Sequence, residues 1–505
     1  MITQILSAVV DATCQVAPFY ILIEFIFFLV FRYYLVPRAN RLVPPAPFRD
    51  YGNDRSKLLI RIMRRIEVTC RMNRQNVDTT IHKFLAEWFH VCKNEHHKPS
   101  MGISNFPDLA QTPMTSPENS DDEDSQQASA SNQDNLESLS QELPVCLYKE
   151  DVDDFFSWAF FGKQHFTLLP WELKELDNIY GILQREIRID FPKKPACPKL
   201  RQSEGYHVAT PRCMSLEPVN AIHRPLIVYL IVGLLKIFGG LLLRLLGYQR
   251  LVASTGLVGW YKQGKSKSHM PLLFFHGIAP GGLILYLPMI LFGLATEPER
   301  SIFLFENRSI SCCIDFHPLT EQQSVDGIME LVNRHIGTEQ PVSVVGHSFG
   351  SCPITWLVAT EMSKRIQQIV LLDPVAILLS EPDVMVNFLY AQELDKIRMV
   401  ASSELFTEYY LRRHFAWYNS ELWLEDLKQH QKLLVCLSEQ DQIVNAKKVR
   451  QELERHESAT KHTKPTILYW NNVGHGDCIS SPSKWRQIKD LMLQQELEIL
   501  QQSRR

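Results

Sequence analysis

One serine lies between two glycines in the stretch PVSVVGHSFGSCP, residues 341–353, directly after a run of β-branched residues. A serine hydroxyl is a weak nucleophile until an imidazole accepts its proton, and the imidazole in turn needs a carboxylate to orient it. The pattern from Gly346 to Gly350 is typical of the sharp strand-to-helix turn that holds a nucleophilic serine in a strained conformation. Ser348 is therefore the candidate nucleophile, and an ordinary glycine-rich turn is the alternative.

Candidates for the other two groups follow in the order that this chemistry requires. Asp441 comes after the apolar run KLLVCLSEQ, and His475 comes after TILYWNNVG. The functional loops of a parallel sheet gather at the carboxyl ends of its strands, so these two side chains are expected to meet there. The order of Ser348, Asp441 and His475 predicts a nucleophile, an orienting acid and a residue that acts as general base and acid.

Asp373 is a second candidate for the acid, because it also ends an apolar run, QQIVLLDP. Asp441 is favoured over it, since the loop of Asp441 directly precedes the last helix and strand, which carry His475. Asp477 is too near His475 in sequence to orient its ring in the usual way.

A group of metal-ligand residue types occurs in the stretch FHVCKNEHHK, which contains His90, Cys92, His96 and His97. A structural zinc site needs a second matching pair of ligands, and the sequence offers none nearby. We therefore expect these side chains to be ordinary surface residues, and no metal or other cofactor is predicted.

A parallel sheet is the element that must position the candidate residues. Apolar runs rich in Val, Ile, Leu and Phe alternate with helical patterns, and the runs read MPLLFFHG, SIFLFEN, PVSVVGHS, QQIVLLDP, KLLVCLSEQD and TILYWNNVGHG. Such alternation indicates an α/β fold with a mostly parallel sheet that is covered on both faces. An aromatic-rich insertion at 374–431 predicts a helical cap, either as an apolar roof for a substrate or as a core of its own.

The motif, the sheet and the order of the three residues resemble the α/β-hydrolase superfamily over roughly the C-terminal half of the chain. The chain is also similar to a loosely defined group of membrane-anchored α/β-hydrolases with long N-terminal extensions. The resemblance implies a serine hydrolase of the carboxylesterase or lipase type, with the catalytic triad of Ser348, Asp441 and His475.

The same resemblance implies an oxyanion hole made by main-chain N–H groups. Members carry a His-Gly pair after an early strand, which is matched here by His276 and Gly277 in HGIAPGG, where some lipases have HGGG. The implied donors are the N–H groups of Ile278 and Phe349, and the implied supporting residues are His276, Gly277, Gly346 and Gly350.

Two apolar segments precede the catalytic half. Residues 16–36, VAPFYILIEFIFFLVFRYYLV, are long enough to cross a bilayer as a helix, which predicts a membrane anchor at 1–38. A cleaved signal peptide would have basic residues before the apolar run, and none precedes it here. The arginines that follow the run predict that the rest of the chain lies in the cytosol. Glu24 weakens this prediction, because a carboxyl group in a bilayer is costly unless it is neutral or paired, and a buried core helix is the alternative.

The second apolar segment, at 225–251, contains Lys236 and Arg244. At the helical period both lie on one stripe with three glycines, and the other faces are rich in Leu and Ile. This pattern predicts a helix that lies in the membrane surface, with a second membrane-spanning helix as the alternative.

The remaining domain boundaries follow from composition. A basic helical segment is predicted at 39–104, a helical brace at 143–224 and the α/β-hydrolase domain at 252–505. Residues 105–142 are acidic and Ser-rich, with too few apolar side chains to offset the entropy of ordering, and are predicted to be a disordered linker. The net charge of -3 gives no reason to expect a nucleic-acid partner, and 11 scattered cysteines without a CxxC pair argue against a disulfide framework.

The expected function is therefore a membrane-associated serine hydrolase that cleaves an ester, of a lipid or another acyl group, through an acyl-enzyme intermediate. Two alternatives keep the same fold. One is a non-catalytic, membrane-bound scaffold that binds lipid or protein, and the other is an acyltransferase.

Overall fold

The computed structural model describes residues 17–49, 55–92, 147–187, 191–194, 208–265, 269–294, 300–391, 401–459 and 464–503. The linker predicted at 105–142 lies outside these residues, and so do His96 and His97 of the candidate metal group.

Ten strands are described, and they form two sheets. In chain order they are β1 (Phe89–Cys92), β2 (Val208–Pro211), β3 (Gln249–Val252), β4 (Val258–Lys262), β5 (Leu272–Phe275), β6 (Ile302–Glu306), β7 (Val342–His347), β8 (Ile366–Leu372), β9 (Lys432–Gln440) and β10 (Thr466–Gly474). β1 and β2 pair with each other antiparallel. The others form one sheet in the order β10-β9-β8-β7-β5-β6-β4-β3.

The large sheet is parallel from β6 through β5, β7, β8 and β9 to β10, as the alternating pattern predicts. Its central strands are buried along their whole length, which explains their continuous Val, Ile, Leu and Phe content. β3 and β4 are antiparallel strands that the sequence patterns did not reveal, and β3 forms one edge of the sheet. Because β3 is largely exposed, its residues QRLV carry no long apolar run, and the sheet begins at Gln249 rather than at residue 252.

The longer helices flank this sheet or precede it. They are α1 (Ala17–Ala39), α2 (Ser56–Asn73), α3 (Val77–Glu87), α4 (Lys149–Phe161), α5 (Pro170–Ile187), α6 (Leu226–Leu245), α7 (Glu321–Ile336), α8 (Ser351–Val358), α9 (Pro382–Leu389), α10 (Leu405–Arg413), α11 (Ala446–Ala459) and α12 (Pro482–Ser503). α7 starts with a capping box in which Thr320 and Gln323 bond each other's backbone N–H groups. α8 ends at Val358, before its apolar pattern does, because the Thr360 side chain caps a separate turn.

The N-terminal extension, by which we mean the described residues between 55 and 218, packs against residues 374–431, which we call the cap. Their shared core includes Trp88 and Trp158 from the extension and Tyr418 and Trp423 from the cap. Arg65 of α2 is buried there, and its guanidinium pairs with the Glu421 carboxylate and donates to Ser380 Oγ at 2.6 Å. A buried charge is tolerated only when it is paired and hydrogen-bonded, so this contact fixes the extension on the cap.

Two of the described helices, α1 and α6, are long and apolar enough to cross a membrane. Glu24 of α1 is paired, since its carboxylate accepts the Leu226 backbone N–H at 2.9 Å at the start of α6. An acidic group at a helix N-terminus satisfies free N–H groups and the helix dipole. Further along α1, Phe31, Leu35 and Ala39 are buried in a cluster with residues of α10.

α6 lies against the large sheet through its small and basic stripe. The Lys236 ammonium is 3.6 Å from the Glu306 carboxylate, and the Arg244 guanidinium lies 5.9 Å from the centre of the Trp260 ring. The opposite face is exposed and carries Leu230, Ile231, Leu234, Leu235, Ile237, Phe238, Leu241 and Leu245. The stripe predicted from sequence thus faces the large sheet, and the Leu and Ile face points outward.

Candidate active site

Ser348 lies at the tip of the turn between β7 and α8. Its φ of 51° is in the left-handed region, which a serine adopts only under constraint from its surroundings. The constraint comes from close backbone approach, because a Cβ at Gly346 would lie 2.4 Å from the Gly350 carbonyl oxygen, and a Cβ at Gly350 would lie 2.2 Å from that of Phe275. Neither glycine position admits a side chain.

Three strand ends bring the predicted triad residues together. His475 Nε2 is 2.9 Å from Ser348 Oγ, and His475 Nδ1 is 2.7 Å from Asp441 Oδ2. The other carboxylate oxygen of Asp441 accepts the backbone N–H groups of Ile443 and Val444, each at 2.8 Å. One oxygen of Asp441 is therefore fixed by backbone N–H groups, and the other orients the imidazole of His475. An imidazole oriented in this way can accept the proton of a serine hydroxyl.

The turn after β5 approaches the serine from the other side. Gly277 N–H donates to the Tyr286 hydroxyl at 3.0 Å, and Ala279 N–H donates to the Ile310 carbonyl at 3.1 Å, so both neighbours of Ile278 are engaged within the protein. His276 ties β5 to β6, because its Nε2 accepts the Asn307 N–H at 3.0 Å. Burial lowers the pKa of His276 to about 4, which keeps it a neutral acceptor.

Comparison with protein families gives one match, over residues 326–484, to the family described as "BAAT / Acyl-CoA thioester hydrolase C terminal". That range contains β7, the turn with Ser348, the cap, Asp441 and His475. It covers less than half of the chain. The C-terminal half of this chain, with its mostly parallel eight-stranded sheet, has the α/β-hydrolase fold.

Several solved α/β-hydrolase structures are similar over about half of the chain. A putative aryl esterase from Burkholderia cenocepacia is 14% identical, covering 49% of this chain and 98% of its own, with a TM-score of 0.35. A thermophilic esterase from Thermogutta terrifontis is 12% identical over 49% and 99%, with a TM-score of 0.36. A bacterial membrane phospholipase A is 13% identical over 53% and 96%, also with a TM-score of 0.36. Among curated proteins none matches this chain.

Asp373, the alternative acid, does not hold the ring of His475. Its carboxylate accepts the Ser438 backbone N–H at 2.9 Å, the Ser438 hydroxyl at 3.1 Å and the Gly476 N–H at 3.1 Å. Through Gly476 it positions the loop that carries His475. Burial raises the pKa of Asp373 to about 6, and the positive charge on His475 opposes that rise.

A buried network behind the triad contains residues that the sequence patterns did not single out. The Tyr286 hydroxyl is 2.8 Å from His347 Nδ1, and the rings of His347 and His475 are 5.3 Å apart. Burial, followed by the charges on His475 and His276, holds the pKa of His347 well below its usual range. His347 precedes Ser348 and was visible as part of GHSFG, whereas no pattern pointed to Tyr286.

Two groups of ligand-type side chains in the described part of the chain are close enough to hold a metal ion. One consists of Asp373, Asp441 and His475, and the other consists of His347, Asp373 and Cys478. In the first group, His475 and Asp441 are hydrogen-bonded to each other. In the second, burial raises the pKa of the Cys478 thiol well above its usual value, and metals bind the thiolate. The first group is thus a hydrogen-bonded histidine and carboxylate beside Asp373, and the second contains a protonated thiol.

The environment of His475 shifts its pKa in a definite direction. Burial lowers the pKa, but the hydrogen bond and charge of Asp441, with the charges of Asp373 and Asp477, outweigh burial and raise it. The neutral imidazole, which can accept a proton from Ser348, is therefore the main form only above the usual value of 6.5.

We expect a titration of His475 to show this shift directly. Diethyl pyrocarbonate reacts with imidazole in its neutral form and not in its protonated form. The pH dependence of the rate at which the His475 peptide is modified, followed by mass spectrometry, should therefore have a midpoint above pH 6.5. Asp441→Asn should lower the midpoint, because it removes the negative charge that raises the pKa of His475 while burial still lowers that pKa. Asp373→Asn, which removes a charge that is not hydrogen-bonded to the His475 ring, should lower the midpoint less. A wild-type midpoint below 6.5, or one that Asp441→Asn leaves unchanged, would contradict the account.

Proposed function

We propose that the protein is a serine hydrolase that cleaves an acyl ester or thioester through an acyl-enzyme intermediate. The observation that carries the proposal is the pair of contacts of His475, at 2.9 Å to Ser348 Oγ and 2.7 Å to Asp441. The matched family is described as an acyl-CoA thioester hydrolase, and thioesters and oxygen esters offer the same acyl carbonyl to a nucleophile.

In the first half of the reaction, Ser348 Oγ attacks the acyl carbonyl while His475 Nε2 takes its proton. Asp441 stabilises the imidazolium that results. The N–H groups of Ile278 and Phe349 stabilise the negative oxygen of the tetrahedral intermediate. When the intermediate collapses, His475 gives the proton to the leaving alcohol or thiol, and the acyl group remains on Ser348.

In the second half, a water molecule attacks the acyl-enzyme, and His475 takes a proton from it. The second tetrahedral intermediate uses the same N–H donors. Its collapse returns the proton to Ser348 Oγ and releases the carboxylic acid. An acceptor other than water at this step would give acyl transfer with the same residues.

We also propose that the enzyme works at a membrane, with α1 as the anchor and α6 lying in the membrane surface. The support is the distribution of side chains on α6. Its basic stripe is held by Glu306 and Trp260 of the catalytic half, and its outward face is a row of large aliphatic side chains. A helix with one face held by the protein and an outward face of large aliphatic side chains suits the membrane surface.

Labelling with a fluorophosphonate probe tests the catalytic proposal. Purified full-length protein should react at Ser348, as shown by peptide mass, and should hydrolyse p-nitrophenyl esters. Ser348→Ala should abolish labelling and lower the rate by roughly 1,000-fold or more, with little change in folding. Ser324→Ala, whose hydroxyl bonds the Thr320 carbonyl on α7, is the matched control and should retain both activities. Absence of labelling in the wild type would contradict the proposal.

Photo-crosslinking tests the membrane contact of α6. A p-benzoylphenylalanine in place of Phe238, whose side chain is 69% exposed on the outward face, should form adducts with lipid when the full chain is bound to phosphatidylcholine vesicles. The same replacement at Leu497, which is 60% exposed on α12, should give none. Equal lipid adducts at both positions, or none at position 238, would contradict a membrane-facing α6.

A further inference from the structure

A narrow cavity of about 70 Å³ borders the proposed nucleophile. Its wall includes Ser348 together with Ile278 and Phe349, the residues of the two proposed oxyanion donors. Apart from Ser348, every side chain in the wall is apolar or aromatic. A cavity that starts at the reacting serine and contains no charged group suits an uncharged, apolar acyl chain, since a polar substituent would lose its hydration there without a partner.

Part of the wall comes from outside the catalytic half. Trp88, Trp158 and Met214 line the cavity, and all three belong to the N-terminal extension. They are 3%, 4% and 5% exposed, so they face the interior and not the solvent. These positions lie well before residue 326, where the matched family begins. The catalytic half alone therefore cannot form this cavity.

The cap holds these residues in place. The Trp158 indole N–H donates to Ser215 Oγ at 2.9 Å, and the Arg413 guanidinium of α10 donates to the Ser215 carbonyl at 2.8 Å. Arg412, next to it, donates to the Met214 carbonyl at 3.3 Å.

Aromatic packing adds to these hydrogen bonds. The Trp88 ring lies 5.8 Å from that of Trp158 and 6.5 Å from that of Trp417 in the cap, measured between ring centres. Close-packed aromatic side chains that are also hydrogen-bonded are not easily displaced by a ligand that is too long for the cavity. The wall is therefore suited to discriminate chains by size.

We propose that Trp88, Trp158 and Met214 limit the length of the acyl chain that the enzyme accepts, which makes the N-terminal extension part of the substrate site. This inference rests on the proposed function, because it takes Ser348 as the acyl acceptor. It assigns to the extension a role in specificity in addition to its packing against the cap.

A chain-length series measures this role. The kcat/KM of full-length protein for p-nitrophenyl dodecanoate relative to p-nitrophenyl acetate should rise by about tenfold or more in Trp158→Ala and in Met214→Ala, because each enlarges the cavity. Trp171→Ala is the matched control, since Trp171 belongs to the same extension but is 51% exposed and does not line the cavity. Its ratio should equal that of the wild type.

Fluorophosphonate labelling of Ser348 in each variant identifies proteins whose catalytic site is intact. An unchanged ratio in variants that label fully would overturn the proposal. If the wild type neither labels nor cleaves any ester, the proposed function fails, and the cavity is then tested without catalysis. A fatty acid with a diazirine at its far end should photolabel the Trp158 or Met214 peptide of Ser348→Ala, and labelling at other sites only would overturn the inference.

Discussion

The geometry of this site depends on how closely the turn after β7 approaches the end of β5. A Cβ at Gly350 would lie 2.2 Å from the Phe275 carbonyl oxygen, and a Cβ at Gly277 would lie 2.9 Å from the Cβ of Ser348. The two backbone segments therefore touch without intervening side chains. This close approach accompanies the positive φ of Ser348, whose hydroxyl is directed to His475. Any larger residue at these glycines would separate the serine from the turn that faces it.

Burial sets the charges around that turn. His347 lies beside His475 but is buried and has a strongly lowered pKa, so it adds no second positive charge next to the imidazolium of the proposed mechanism. In that mechanism Asp441 supplies the opposing negative charge, and two backbone N–H groups fix its position. Asp373 fixes the loop instead, through the N–H of Gly476. Asp441 is thus hydrogen-bonded to the ring of His475, whereas Asp373 is hydrogen-bonded to the backbone of the loop that carries this ring.

The parallel part of the sheet could be predicted because its buried strands are continuous apolar runs, and the same runs placed Ser348, Asp441 and His475 at strand ends. The edge strand β3 could not, since an exposed strand of four residues lacks an apolar pattern. The contact between Arg65 and Glu421 joins residues 356 positions apart, and nothing in either local sequence identifies the partner. For the same reason the aromatic residues of the extension gave no sign that they reach the cavity beside the serine. The stripe on α6 was evident from its helical period, but the face that it contacts is a property of the tertiary structure.

The central claim is that Ser348 accepts an acyl group. Rapid mixing of the full-length protein with a p-nitrophenyl ester, followed by acid quenching and peptide mass spectrometry, tests it most directly. The account predicts a burst of p-nitrophenol that matches the amount of enzyme, with the mass of one acyl group on the peptide that contains Ser348. Steady ester hydrolysis without such an adduct, or an adduct on a different residue, would contradict it.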